Sequence, residues 1–232
     1  MDRKRIDPER KQYSIVLLGD FNPGMFQPEW FCRHNVISEE DADFAKDQNS
    51  HTPLIVTPQI TFFRTPQMTI QVETNRFEAK ADKEPLVTIV DFVTKTFENL
   101  GGYKITAFGL NYTAHYRIGS LEELHKIGDI LAPKECWEDF LEGEVSGNNR
   151  KSGLASIQMK KVKEGSDGYI LFALQPSPTV TNGLLLSCND HNDIPNEDQT
   201  SEIVIEMISK NYIEAYNKME SMQKRLLERV CY

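Results

Sequence analysis

The feature that most constrains the fold is a regular alternation of side chains between Tyr103 and Ile118, the segment YKITAFGLNYTAHYRI. Successive residues of an extended strand point to opposite faces, so alternation separates the two kinds of side chain. One face carries Phe108, Leu110, Tyr112, Ala114, Tyr116 and Ile118. The other face carries Asn111, Thr113, His115 and Arg117. This period of two predicts a β-strand with an apolar face and a polar face.

The predicted elements on either side of this strand occur twice in the same order. The first half contains a strand at Tyr13–Pro23, a helix with Pro28 in its first turn, three strands between 53 and 81, and a helix over 84–102. The second half contains the strand at 103–118, a helix capped by Ser120, three strands near 154–162, 169–175 and 183–188, and a helix near 200–228.

The repeated order predicts an α+β protein. Residues 13–102 and 103–232 are expected to be internally duplicated β-α-β-β-β-α units, which follow a polar extension over 1–12. The two units pair their strands into one large antiparallel sheet with helices on one face and a long C-terminal helix. They form either a single compact domain or two intimately packed halves, and 232 residues suffice to bury such a core.

Composition narrows the class of function. The net charge of −9 disfavours nucleic-acid binding unless basic residues gather on one face. No long apolar run and no signal-type N-terminus is found, which predicts a cytoplasmic protein without a membrane span. The four cysteines form no CxxC pair and are expected to be free thiols, and no cofactor motif occurs.

Three segments resemble those of a sporadically distributed, largely uncharacterised bacterial family of about this length. They are the opening strand IVLLGDFNP, the strand ITAFGLNYTAHYRI, and GLLLSCNDHNDI before a long terminal helix. The resemblance implies a duplicated, saddle-like fold of the TATA-binding-protein type. Some members of the family occur among accessory genes of defence islands, so the resemblance also implies that genomic context. It implies no catalytic residue.

Two groups of residues are candidates for binding. Asn111, Thr113, His115 and Arg117 would project side by side, about 6 to 7 Å apart, and offer donors, an acceptor and a positive charge. The alternative is a solvated sheet face. Asp20 and Asn22 lie between a strand and a helix, where backbone N–H groups can bind an anion, although capping and turn formation also explain them.

A third candidate is the segment SCNDHNDIPNED. Its Cys188, Asp190, His191 and Asp193 are potential metal ligands on a predicted loop at a strand end. Their spacing matches no known ligand pattern, and Asn-rich and Asp-rich loops usually reflect turn formation. We therefore expect no metal here.

The terminal helix carries Met219, Met222 and Leu226 on one stripe. This stripe either packs on the sheet of the same chain or extends beyond it to contact another chain, as a homodimer or with a protein partner.

The sequence contains no activated nucleophile, metal-ligand set or phosphate loop, which favours a non-catalytic protein-binding or scaffold component. The family resemblance suggests a bacterial defence or stress assembly as its setting. One alternative is a metal-assisted hydrolase that uses the loop from Cys188 to Asp193. Another is nucleic-acid or small-ligand binding on the concave face of the sheet.

Overall fold

The computed structural model of the chain describes residues 7–47, 53–142, 152–165 and 167–231. Within those residues, nine strands form one antiparallel sheet in the order β2-β3-β4-β5-β1-β6-β9-β8-β7. The strands are β1 Arg10–Gly19, β2 Ile55–Val56, β3 Ile60–Arg64, β4 Met68–Glu73, β5 Arg76–Ala81, β6 Ile105–Arg117, β7 Ile157–Val162, β8 Gly168–Pro176 and β9 Gly183–Asp193.

Six α-helices and three short 3-10 helices connect or follow these strands in the described residues. The α-helices are α1 Pro28–Arg33, α2 Glu39–Lys46, α3 Val87–Asn99, α4 Leu121–Leu131, α5 Glu138–Leu141 and α6 Ser201–Val230. The 3-10 helices are Pro23–Met25, Lys134–Trp137 and Asn196–Asp198. The α+β class, the large antiparallel sheet and the long C-terminal helix are thus confirmed.

The core lies between one face of the sheet and the helices packed on it. On β1 and β6, the buried side chains include Tyr13, Ile15, Leu17, Phe108, Leu110, Tyr112 and Tyr116. Phe31 of α1 contacts Phe63 of β3 at 5.6 Å between ring centroids, and Phe97 of α3 contacts Phe77 of β5 at 5.1 Å. The alternation that defines each strand therefore places its apolar side against the helices.

Helix α6 packs on β6 and β9 and against helices α3 and α4, and its buried residues continue from Ser201 to Val230. Two polar side chains contact the sheet beneath it. Tyr216 Oη donates to the Ser14 carbonyl at 3.0 Å, and Gln223 Nε2 donates to the Leu186 carbonyl at 3.2 Å. These directional bonds fix the position of the helix more closely than apolar packing alone.

Local signals explain where the helices begin. Ser120 and Glu123 form a reciprocal capping box at the start of α4, as the sequence predicts for Ser120. Thr200 Oγ1 accepts the backbone N–H of Ile203 at 3.4 Å and caps α6. The first helix is shorter than the apolar pattern of the sequence predicts. It ends at Arg33, and Asn35 adopts a left-handed backbone conformation with a φ of 56°.

The predicted strand boundaries need two corrections. The first strand begins at Arg10, within the predicted extension over 1–12, and pairs with β6 from its first residue. The predicted end of the last strand near Cys188 is wrong, because β9 continues to Asp193. Pairing with β6 on one side and β8 on the other holds these Asn and Asp residues in extended backbone despite their turn propensity.

None of the helices in the described ranges has both the length and the apolar composition needed to cross a membrane.

Candidate functional site

The face of the sheet opposite the core carries no packed helix among the described residues, and we call it the helix-free face. At its centre lie alternate side chains of three adjacent strands: Gln12 and Ser14 of β1, Asn111 and Thr113 of β6, and Ser187 and Asn189 of β9. His115 and Arg117 continue this face along β6. All four residues of the predicted polar strip therefore lie on one face, away from the core.

One row of directly opposed residues crosses the centre of the helix-free face. Asn111 is paired with Ser14 on one side and with Asn189 on the other, and its Nδ2 donates to Ser14 Oγ at 3.1 Å. Asn189 Oδ1 is buried and has no hydrogen-bond partner within the described chain. The missing side chain of Gly109 leaves room for this amide, because a Cβ there would lie 3.1 Å from Asn189 Oδ1.

His115 is held by the turn that follows β8. Its Nδ1 lies 2.8 Å from Ser177 Oγ and 3.3 Å from Thr179 Oγ1. Ser177 Oγ also accepts the backbone N–H of Val180 at 2.9 Å. Burial, and secondly the nearby charge of Arg10, lower the pKa of His115, so the imidazole is neutral at neutral pH.

Arg117 lies at the end of the strip with its charge already paired. Its guanidinium contacts both carboxylate oxygens of Glu9, and Nη1 donates to the Thr181 carbonyl at 3.2 Å. The hydrogen bond with Glu9 raises the pKa of Arg117. Since Arg117 is exposed, a ligand carboxylate or phosphate would compete with Glu9 for this group.

The structure does not bring Asp20 and Asn22 to the polar strip. Both follow β1 at the end where Gly19 pairs with Ile105, whereas Arg117 is at the other end of β6. A strand of this length spans about 40 Å. The side chain of Asn22 makes no cap, and its carbonyl accepts the N–H of Met25 at 3.1 Å in the turn.

The four candidate metal ligands are divided between the two faces of the sheet. Cys188 and Asp190 point to the side of the helices, and His191 and Asp193 point to the helix-free face, because all four belong to one strand. No group of three or more potential ligands occurs anywhere in the described residues.

The structure brings together one pair of them, since His191 Nε2 lies 3.1 Å from Asp193 Oδ1, and it gives the others different environments. Cys188 is 1% exposed, and burial raises its pKa to about 12, which keeps the thiol protonated. Asp190 forms an ion pair with Lys163, whose Nζ also donates to Asn192 Oδ1 at 2.6 Å. The ring of His191 stacks on Tyr169 at 4.6 Å between centroids.

The residues proposed as an interface on α6 contact the core of the same chain. Met219 is 1% exposed, and Met222 and Leu226 are half-buried against the core. The expected extension of the last turns beyond the sheet is not observed, since Leu227 and Val230 are also buried. Met219 is therefore not accessible to a partner in this conformation.

Sequence reasoning missed an ionic cluster on the helix-free face. Glu78 of β5 is only 4% exposed and lies 2.6 Å from Arg76 Nη1 and 3.0 Å from Lys80 Nζ. The three residues alternate in the segment RFEAKA, so their spacing of two already indicates that they share one face. The sequence did not indicate Ser14 or Asn189 as site residues, because only the strand order places them beside Asn111.

An apolar pocket lies on the helix side of the sheet. A cavity of about 340 Å³ separates α4 from β8 and β9 and is lined mainly by apolar residues, with His125 at its wall. It is remote from the polar strip, since Leu174 and Leu184 of its lining belong to the core face.

Comparison of the sequence with protein-family models found no match, and comparison with curated proteins found no relative.

Proposed function

We propose that this protein is a non-catalytic binding component that receives a protein partner on its helix-free face. The observation that carries the proposal is the row of hydroxyl and amide groups on β1, β6 and β9. It lies at the centre of a sheet whose core-forming helices, α1, α2, α3, α4 and α6, are on the opposite side. These groups offer donors and acceptors on a rigid scaffold, which suits recognition.

The dimensions of the face support a protein partner. Nine strands at a spacing of about 4.8 Å make the sheet about 40 Å wide. The longest strand, β6, contributes a similar length. Such a surface exceeds the roughly 800 Å² that each partner contributes to a standard protein interface.

An internal duplication is part of this proposal. Among the described residues, the first half has one strand more than the second, the two-residue edge strand β2. Without β2, the order β1-β5-β4-β3 of the first half matches the order β6-β9-β8-β7 of the second half when each is numbered along the chain. The proposed pseudo-twofold axis passes between β1 and β6. This arrangement favours the saddle-like fold that the sequence resemblance implies, and with it a role in a defence or stress assembly.

Chemistry at the site favours binding over catalysis. His115 and Ser177 form a contact of 2.8 Å, but Ser177 Oγ also accepts two backbone N–H groups of its own turn, from Thr179 and Val180. That pattern is typical of a serine that stabilises a turn. In the described residues, the side-chain partners of His115 are the hydroxyls of Ser177 and Thr179 and not a carboxylate that would orient it as a general base.

Nucleic-acid binding on the same face is the second candidate. Strand residues of the helix-free face include the basic side chains of Arg10, Arg64, Arg76, Lys80, Arg117 and Lys160. Several have local partners, since Arg76 and Lys80 contact Glu78 and Arg117 contacts Glu9. Phosphates would have to displace these carboxylates, and this disfavours the candidate.

The metal-assisted hydrolase is the least supported alternative. It requires Cys188 and Asp190 to act with His191 and Asp193, whose side chains leave the strand on the opposite face. It predicts stoichiometric metal that is lost in the His191→Ala variant.

Purification of the tagged protein from its native host under mild conditions separates these functions. We expect a stoichiometric protein partner and no stoichiometric metal. Stoichiometric zinc or manganese without a partner would contradict the proposal and favour the hydrolase. Oligonucleotide binding that weakens steeply with salt would favour the nucleic-acid alternative.

A further inference from the structure

Strand β7 forms one edge of the sheet and is unusually accessible. Of its six residues, only Ile157 is half-buried and the other five are exposed. Met159 and Val162 are 68% and 67% exposed, although both are apolar. Its pairing with β8 shows no register shift, and the strand contains no proline. The strand therefore lacks bulges and prolines, which are two of the usual protections of an edge strand, but it has a third kind in the exposed Lys160 and Lys161.

The opposite edge of the same sheet is protected. Strand β2 has two residues, Ile55 and Val56, and lies between Pro53 and Pro58. A short strand bounded by prolines cannot template the addition of another strand. Of the two edges of the sheet in the described residues, β7 is therefore the one whose backbone can accept another strand.

The direction of the free backbone groups follows from the hydrogen-bond pattern. Lys163 N donates to Gly168 O, so this residue pair is hydrogen-bonded. Hydrogen-bonded and non-hydrogen-bonded pairs alternate along an antiparallel ladder. Residues 157, 159 and 161 therefore point their N–H and C=O groups toward β8, and Gln158, Lys160 and Val162 point theirs outward.

The side chains of β7 indicate which kind of segment could pair with this edge. Lys160 and Lys161 are exposed at the middle of the strand, and Lys160 Nζ lies 4.0 Å from the ring centroid of Tyr169. A second copy of the chain paired antiparallel at this edge would bring lysines of both copies together, which is unfavourable. Side chains alternate along the strand, so Lys160 and Val162 lie on the helix-free face, and Met159 and Lys161 lie on the other face. Acidic side chains of an added segment on the helix-free face would pair with Lys160, and its apolar side chains on the other face would cover Met159.

We propose that β7 binds an extended acidic segment of a partner protein by strand addition, with alternating acidic and apolar side chains. Main-chain hydrogen bonds to Gln158, Lys160 and Val162 supply the affinity, and Lys160, on the face that receives the acidic side chains, selects the charge. This edge is separate from the centre of the helix-free face, so the inference goes beyond the proposed function and can fail independently of it.

The test uses the full chain and two synthetic peptides, one of alternating glutamate and valine and one of alternating lysine and valine. We expect binding of the glutamate peptide only. Lys160→Pro removes the outward N–H and is compatible with an edge strand, because that N–H has no partner on β8. It should weaken binding about tenfold. Lys160→Ala loses the same charge but keeps the N–H, and should weaken binding only about threefold.

Val162→Pro with Val162→Ala is a second matched pair, which keeps the proposal testable if Lys160→Pro fails to fold. Three outcomes would overturn the proposal. The proline and alanine variants of each folded pair could bind with equal affinity, the two peptides could bind with equal affinity, or the glutamate peptide could fail to bind. Loss of peptide binding in Thr113→Arg but not in the proline variants would also overturn it, because it would place the peptide on the helix-free face.

Discussion

At the scale of single residues, two tyrosines on β6 differ only in their partners. Both Tyr112 and Tyr116 are fully buried beneath α6. Tyr116 Oη donates to Gln223 Oε1 at 3.0 Å, whereas Tyr112 Oη has no partner in the described chain. A buried hydroxyl without a partner costs free energy, and a paired one contributes about 1 kcal/mol.

We therefore expect Tyr116→Phe to lower the free energy of unfolding by about 1 to 2 kcal/mol, because it also leaves the amide oxygen of Gln223 unpaired. Tyr112→Phe is expected to be neutral or stabilising by up to about 1 kcal/mol. Urea unfolding of both variants measures the difference. Equal destabilisation by the two substitutions would contradict the hydrogen-bond assignment.

His115 gives a pH dependence whose sign follows from its lowered pKa. The ordinary value is 6.5, and the folded protein holds the pKa of His115 below it. The unfolded chain then binds more protons between the two pKa values, so stability is fully present above 6.5 and is lost as pH falls through the folded pKa.

Urea unfolding at about pH 7.5 and about pH 5 should show a smaller loss of stability on acidification for His115→Gln than for the wild type. An identical loss in both proteins would show that other groups control this pH range.

At the scale of elements, close contact between β8 and β9 depends on Gly168. A Cβ at this position would lie 2.5 Å from the backbone oxygen of His191. Since a backbone atom cannot rotate away as a side chain can, Gly168→Ala should destabilise the fold by about 1 to 3 kcal/mol. Gly24→Ala is the matched control, because its Cβ would meet Asn22 Oδ1 at an ordinary 3.7 Å. Thermal unfolding of the two variants tests this, and equal melting temperatures would contradict it.

The elements also show what the sequence could predict. Alternation identified β6, and helical spacing together with Ser120 identified α4, since these signals are local. The end of β9 was missed because Asn and Asp residues favour turns in isolation, and only pairing with both β6 and β8 overrides that preference. The burial of Met219 also depended on where α6 crosses the sheet, which no local pattern specifies.

At the scale of the whole molecule, the sequence predicted which face of β6 would be polar but not what would stand beside it. Strand order decides that Ser14 and Asn189 flank Asn111, although they are distant in sequence. Asp20 and Asn22 are separated from Arg117 because they lie at opposite ends of the paired strands, and Cys188 is divided from His191 by the alternation of side chains within β9. The sequence could therefore predict which residues of one strand share a face, but not which residues of neighbouring strands lie beside them.

The central claim is that the helix-free face binds a partner, and Thr113 is the residue at its centre best suited to test it. Thr113 is half-buried on that face, and an arginine there would project a long charged side chain across the neighbouring strands. Asn217→Arg is the matched control, because Asn217 is exposed on α6 on the opposite side of the sheet.

The most direct measurement is the affinity of the co-purified partner for the wild type and for these two variants, each first shown to be folded by circular dichroism. We predict that Thr113→Arg weakens binding at least about tenfold, as expected for a charge buried in an interface, and that Asn217→Arg binds as the wild type does. Unchanged affinity in Thr113→Arg, or an equal loss in both variants, would contradict the account.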